Sequence, residues 1–355
     1  MGNTSINSAL PGGQFNTLAQ IGTTIDVSGS KQSPIILHGT GTDRGDAKML
    51  KNRAKKKLIT QKLCLALIDV AKSLKDFKMV KSYWNTYHCQ SKLISANNRL
   101  HGNYCKNRFC SICAGIRKAE IISKYLPVIS SWEEAHFVTL TSLAVPASQL
   151  KGRFQRMIKS FNKILKRNKK RCQRGKGIKI MGIRSVESNF NPIKRTYNPH
   201  LHIIVSSREA AELIVKEWLK ACTPKFAYRG AQDIQKVNDK IKNLIEVVKY
   251  GSKIFTDPTM QKKSKSNVLP QIYVLAYHNI IKAMSGLRIF ERFGFNACPG
   301  SKAPLSELYT EYERMIFDQG LSDWVNEETA EMLTGYVPSQ ELQFILNGNM
   351  DINLQ

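Results

Sequence analysis

The chain has 355 residues, enough for one sizeable buried core and an accessory unit. Its 54 basic against 27 acidic residues leave a formal net charge of +27, which points to a polyanionic partner. There is no run of about 18 apolar residues, and the N-terminus lacks the basic-then-apolar order of a secretory signal, so a cytoplasmic protein with no membrane attachment is expected.

In chain order, residues 1–45 are rich in Gly, Ser, Thr and Asn and read as a disordered tail. Residues 46–84 read as a basic helical arm, either contacting DNA or simply capping the fold. Lys48, Lys51, Arg53, Lys55, Lys56 and Lys57 lie in the first half of a helix from Asp46 to about Lys75, and Leu63, Leu65, Leu67 and Val70 in its second. Residues 85–125 hold Cys89, Cys105, Cys110 and Cys113, whose thiolates would suit one structural Zn²⁺. His88 and His101 compete for the fourth ligand position, and free thiols are the alternative. Cys64, Cys172, Cys222 and Cys298 are scattered and read as packing residues. Without secretion, a disulfide framework is not expected.

Residues 130–296 carry the main domain. His136–Ser142 alternates as a strand, and Ser148–Arg171 has helical spacing with Leu150, Phe154, Ile158, Phe161 and Leu165 on its apolar stripe. From Lys151 to Val186 there are 14 Lys and Arg residues and no acid. Such a face fits phosphate contact, although acidic proteins or anionic lipids would attract it too. Strands are predicted over Lys176–Ser188 and Asn198–Ser206. Ser206-Ser-Arg-Glu209 reads as a capping box opening a helix to about Ala221, and Gly230–Val237 as a further strand. This alternation gives an α+β class with an antiparallel sheet. Pro270 opens a covering helix to Met284, and residues 297–355 read as a C-terminal helical extension with a helix over Ser306–Phe317.

The strand Asn198–Ser206 contains His200-Leu-His202. Residues two apart on a strand share a face, so both imidazoles are offered to one metal. Two histidines do not define a site, and ordinary strand histidines are the bland alternative. Glu187, the only acidic residue between Lys151 and His202, ends the preceding strand and is the candidate third ligand across the hairpin. Its register is left open by the long stretch Ser188–Tyr197. Two imidazoles and a carboxylate suit Mn²⁺ or Mg²⁺ with open positions for a phosphate oxygen. Further on, Asp239–Phe255 reads as an amphipathic helix with Asp239 as N-cap and Ile241, Leu244, Ile245 and Val248 as its apolar face. Glu246, Lys249, Tyr250 and Lys253 then share the polar stripe. A metal that polarises a phosphodiester beside a nucleophilic tyrosine is a combination that cuts DNA while conserving bond energy. Tyr197 and Tyr228 are the next tyrosines to consider.

Three ordered segments carry a resemblance: Phe137-Val-Thr-Leu-Thr141, Asn198-Pro-His-Leu-His-Ile-Ile-Val205 and Glu246-Val-Val-Lys-Tyr-Gly-Ser-Lys253. Together they resemble the motifs of rolling-circle plasmid replication initiators, in the single-tyrosine branch of the His-hydrophobic-His endonucleases. Cys105-Lys-Asn-Arg-Phe-Cys-Ser-Ile-Cys113 resembles the cysteine cluster upstream of that nuclease, and Ala283-Met-Ser-Gly-Leu-Arg288 with Gly294 its closing segment. The resemblance covers residues 85 to 296. It implies an antiparallel sheet carrying the His pair, covered by helices on one face, with the tyrosine helix reaching the site. It also implies that Tyr250 nicks plasmid origin DNA, at a hairpin or single-stranded site, and forms a 5′-phosphotyrosyl link. Glu246 would activate water at termination. Lys253 would assist catalysis, Lys249 and Arg288 would contact DNA, and host helicase and polymerase would be partners. A mobilisation relaxase, a single-tyrosine transposase and a non-catalytic zinc-stapled DNA-binding regulator are the competing readings.

Overall fold

The computed structural model describes residues 34–38, 41–222, 226–248, 271–296, 306–340 and 342–343. The N-terminal part contains β1 (Ile35–His38), β2 (Thr42–Asp43), α1 (Ala47–Ser73), α2 (Phe77–Tyr87), β3 (Lys92–Ala96), β4 (Arg99–Gly102) and α3 (Ser111–Ser130). The central part contains β5 (His136–Thr141), α4 (Ala147–Gln173), β6 (Gly182–Asn191), β7 (Thr196–Val205), α5 (Arg208–Ala221), β8 (Asp233–Lys236), α6 (Lys240–Val248), α7 (Gln271–Met284) and β9 (Glu291–Phe293). β10 (Ser306–Tyr309), β11 (Glu313–Asp318) and β12 (Asp323–Asn326) follow. The class is mixed α and β with antiparallel sheets.

The central sheet has the order β8-β5-β7-β6-β9, every neighbour antiparallel. β6 and β7 pair from Gly182↔Val205 to Asn191↔Thr196. The segment after Ser188 is therefore ladder almost to its end, not loop. The reversal is confined to residues 192–195, where Asn191 Oδ1 accepts from the amides of Ile193 and Lys194 at 3.0 Å each and Arg195 takes φ +49°. Asn tolerates such turns because its short side chain satisfies nearby amides. Two glycines sit where β6 and β9 begin and end. A Cβ on Gly182 would strike the Ile204 carbonyl, and one on Gly294, at φ +79°, the Ile180 carbonyl.

Alternation divides the sheet into two faces. Val138, Leu140, Val186, Leu201 and Ile203 pack with Leu150, Phe154, Met157 and Phe161 of α4, Ile214 and Trp218 of α5, and Ala276 and Ile280 of α7. Phe137, Ile183 and Ile204, on the other face, pack with Ile121, Tyr125 and Ile129 of α3 and Leu244, Val247 and Val248 of α6. Helices thus cover both faces, whereas one covered face was expected; α3, drawn in from the cysteine-rich segment, makes the difference. On α6 the buried stripe is rotated from the expected one. Val247 is buried with Leu244 and Val248 against α3 and the sheet, and Ile241 is 52% exposed. Asp239 Oδ1 does accept from Lys242 N at 2.9 Å. α5 is capped one residue later than expected, by Ser207, whose Oγ accepts from Ala210 N.

Strands of the N-terminal part and strands after Ser306 meet in a second sheet, β12-β11-β3-β4-β2, with β1 and β10 paired as a ribbon. This overturns two expectations. Ile35–His38 of the expected tail is a strand, with Ile35 and Leu37 buried against Ile94, Tyr309 and Tyr312. The stretch Ser306–Phe317 is strand rather than helix. Met315 and Phe317 are buried and alternate with exposed Arg314 and Ile316, a period of two. Of the two readings of α1, an arm or a capping helix, the packing fits the second for its first half, since Leu50, Ala54 and Leu58 pack under this sheet with Trp324.

Candidate active site

β5, β6 and β7 bring the metal-ligand candidates together. The register sets Glu187 opposite His200, and Ser185 and Thr139 opposite His202 on either side. One ligand atom each from Glu187, His200 and His202 lies within 4.8 Å of the others. Glu187 Oε2 is 3.6 Å from His200 Nε2 and 3.5 Å from His202 Nε2. All three side chains are at most 12% exposed.

The outer ring nitrogens are engaged by other groups. His200 Nδ1 donates to the Asn198 carbonyl at 3.1 Å, so Nε2 is the ring atom that faces Glu187 and would be the one offered to a cation. His202 Nδ1 lies 3.3 Å from Thr139 Oγ1, while its buried Nε2 has no hydrogen-bond partner. Burial would push the Glu187 carboxyl up, but the two imidazoles beside it outweigh that and hold it at about 2. An ionised carboxylate and two inward Nε2 atoms are a donor set fit for a divalent cation. Thr139 and Asn198 belong to the motifs read in the sequence, but their supporting roles became visible only with the strand register.

α6 lies on the same sheet face as these ligands, packed on β6 and β7. It carries Glu246, which is half-buried. Lys249, Tyr250 and Lys253 lie outside the described residues. Val186 N donates to Ile289 O, so Arg288 sits on the sheet edge beside the segment carrying Glu187. There it pairs with Glu291 at 3.3 Å, 75% exposed. Tyr197 is buried and its hydroxyl accepts from Asn279, whereas Tyr228 is exposed.

The four cysteines also converge, with their sulfurs within 4.8 Å of one another. Cys89 and Cys105 lie 3.5 and 3.7 Å from Cys113. A tetrahedron with metal–sulfur bonds of 2.3 Å has edges of about 3.8 Å, so this set fits zinc. Cys110 is the N-cap residue of α3 and Cys113 lies on its first turn. Neither competing histidine joins them: His88 stacks on Trp84, and His101 packs on Tyr309. Lys57, buried on α1, donates to the Tyr87 and Cys89 carbonyls and to Ser91 Oγ at 2.7–2.9 Å, so its three protons pin the chain around Cys89.

Comparison with known proteins places this geometry in a family. The family model described as replication protein matches residues 97–291, more than half of the chain. A protein rep of Staphylococcus aureus is 29% identical over 180 residues, covering 46% of this chain and 75% of that protein. A protein rep of a Bacillus species is 26% identical over 160 residues, covering 41% of this chain and 50% of that protein. One of Streptococcus pneumoniae is 27% identical over 109 residues, covering 29% and 32%. No solved structure matches the chain. The chain belongs to the replication protein family and is a plasmid replication initiator.

Proposed function

We propose that this initiator nicks one strand at a plasmid double-strand origin, with Tyr250 as nucleophile. The observation that carries the reading is the meeting of Glu187, His200 and His202 on three neighbouring strand positions, with α6 on the same face. A Mn²⁺ or Mg²⁺ held by these three residues would supply a Lewis acid for a phosphodiester oxygen. Asn198 and Thr139 orient the two imidazoles for that task. The Tyr250 oxygen attacks phosphorus, the bond to the 3′ oxygen breaks, and the tyrosine keeps the 5′ phosphate while the 3′-OH primes synthesis. Lys249, Lys253 and Arg288 supply positive charge toward phosphates. Glu246 takes a proton from water at termination, so that one tyrosine suffices. The scissile strand must be unpaired, as in a hairpin. The cysteine set would hold a structural Zn²⁺, and host helicase and polymerase would extend from the nick.

The test is Tyr250→Phe with a single-stranded origin oligonucleotide and Mn²⁺. Loss of both cleavage and covalent adduct, with binding retained, is expected. Adducts persisting in the variant would move the nucleophile elsewhere, with exposed Tyr228 the next residue to change.

A further inference from the structure

α4 is 27 residues long and turns its apolar side into the sheet face opposite the metal ligands. Arg156, Lys159, Lys163, Lys166 and Lys170 recur every three or four residues on the outward side, all exposed. At 1.5 Å per residue they form a line about 21 Å long. No acidic residue occurs from Lys151 to Val186. The nearby carboxylate of Glu217 is taken by Arg167 and Arg171, each at 3.4 Å, and Lys220. Among the described residues none of the five in the line has an acidic partner; Arg156 lies over the Phe226 ring, 4.4 Å from its centroid.

We propose that this outward line of α4 is a non-catalytic site for the sugar–phosphate backbone of duplex DNA, separate from the nicking site. The inference rests on the origin-nicking reading and adds where the flanking duplex is held. B-DNA carries one negative charge per about 1.7 Å of axis, both strands counted, so a rigid row of five cations about 21 Å long lies along a dense stretch of phosphates. A single strand fits less well. Sites for unpaired DNA interleave cations with exposed rings on which bases stack. The aromatic residues of α4, Phe154 and Phe161, are both fully buried. Holding duplex on one face leaves the opposite face to the unpaired strand.

The test uses the full chain with Lys159, Lys163, Lys166 and Lys170 all changed to Gln, and in parallel all to Arg. Affinity for a linear duplex carrying the origin is measured across salt concentrations, and cleavage of a short single-stranded origin oligonucleotide is measured with Mn²⁺. The Gln variant is expected to lose at least about tenfold in duplex affinity and to flatten the log K against log salt slope by about 3.6. The Arg variant should keep the wild-type slope, and both should cleave the oligonucleotide at the wild-type rate. An unchanged slope in the Gln variant overturns the proposal, as does a parallel loss of oligonucleotide cleavage or a loss shared by the Arg variant. If the wild type cleaves nothing, the nicking reading fails, while the duplex slope still reads the site.

Discussion

Each imidazole of the candidate metal site is held at its outer nitrogen by a different kind of group, a backbone carbonyl for His200 and a hydroxyl for His202. A carbonyl accepts only, so it fixes one tautomer; a hydroxyl accepts or donates, so Thr139 also depends on its own orientation. Thr139→Val removes that partner while keeping shape, and Mn²⁺ affinity should fall about 10–100-fold, with cleavage recovering at high metal. A metal titration of cleavage checks this. His200→Ala or His202→Ala should abolish cleavage at any metal concentration tested, and a chelator should do the same to the wild type. Glu187 adds a pH signature to metal-free protein. Its carboxyl, ordinarily near 4.5, is held at about 2, so its stabilising contribution is complete above pH 4.5 and is lost as pH falls toward 2. Glu187→Gln should flatten the fall in urea midpoint below pH 4.5; an unchanged profile would remove the carboxylate from the acid response. The meeting of these three residues was legible in the sequence, because strand periodicity aligns the histidines and no other acid competes for the third position. Thr139 was not, since its distance from His202, 63 residues on in the chain, is set by a register between strands.

At the scale of elements, the cysteine cluster shows how spacing conveys a ligand set but not its support. Cys105, Cys110 and Cys113 lie close in the chain, and Cys89 is drawn in by groups that no local pattern reveals. Lys57 on α1 binds its carbonyl, and Arg53 binds Gln90 Oε1 next to it. Structural zinc contributes directly to folding, so Cys110→Ser or Cys113→Ser should lower bound zinc and expose residues 85–120 to hydrogen exchange. Elemental analysis of protein purified without chelator checks the first part, and an absence of zinc in the wild type would end it. α6 was legible in its existence and N-cap but not in its rotation, because apolar residues occupy both Ile241 and Val247 and only the approach to the sheet decides which is covered. Its half-buried Glu246 carries the next expectation. Glu246→Gln keeps size and hydrogen bonding but not basicity, so nicking should proceed while tyrosyl–DNA accumulates on a substrate with a termination site. Normal release would leave Glu246 with a packing or pairing role.

At the scale of the molecule, the least legible feature is the pairing of N-terminal strands with strands beyond Ser306, in one five-stranded sheet and one ribbon. β1 is four residues inside a long polar stretch, and β11 is charged on one face, so composition averaged over tens of residues hides both. Only pairing makes them strands: β11 lies against β3, some 220 residues away in sequence, and β10 against β1. The consequence reaches the cysteine cluster. Trp324 of β12 is fully buried and donates its indole N–H to the Gln90 carbonyl at 2.7 Å, one residue from Cys89. Trp324→Ala should therefore cost about 3–5 kcal/mol in this sheet, from lost burial and the cavity left behind. The loss should not stop there. The freed Gln90 carbonyl and loosened β3 remove a constraint on Cys89, so zinc should be released at a lower temperature or denaturant concentration than in the wild type. Cleavage of a short single-stranded oligonucleotide draws on the central sheet, whose core is separate from that of Trp324, and should be affected far less. Following zinc release with a chromogenic chelator during unfolding distinguishes the cases. If the variant unfolds early but yields zinc at the wild-type midpoint, the C-terminal strands support their sheet without supporting the cysteine cluster.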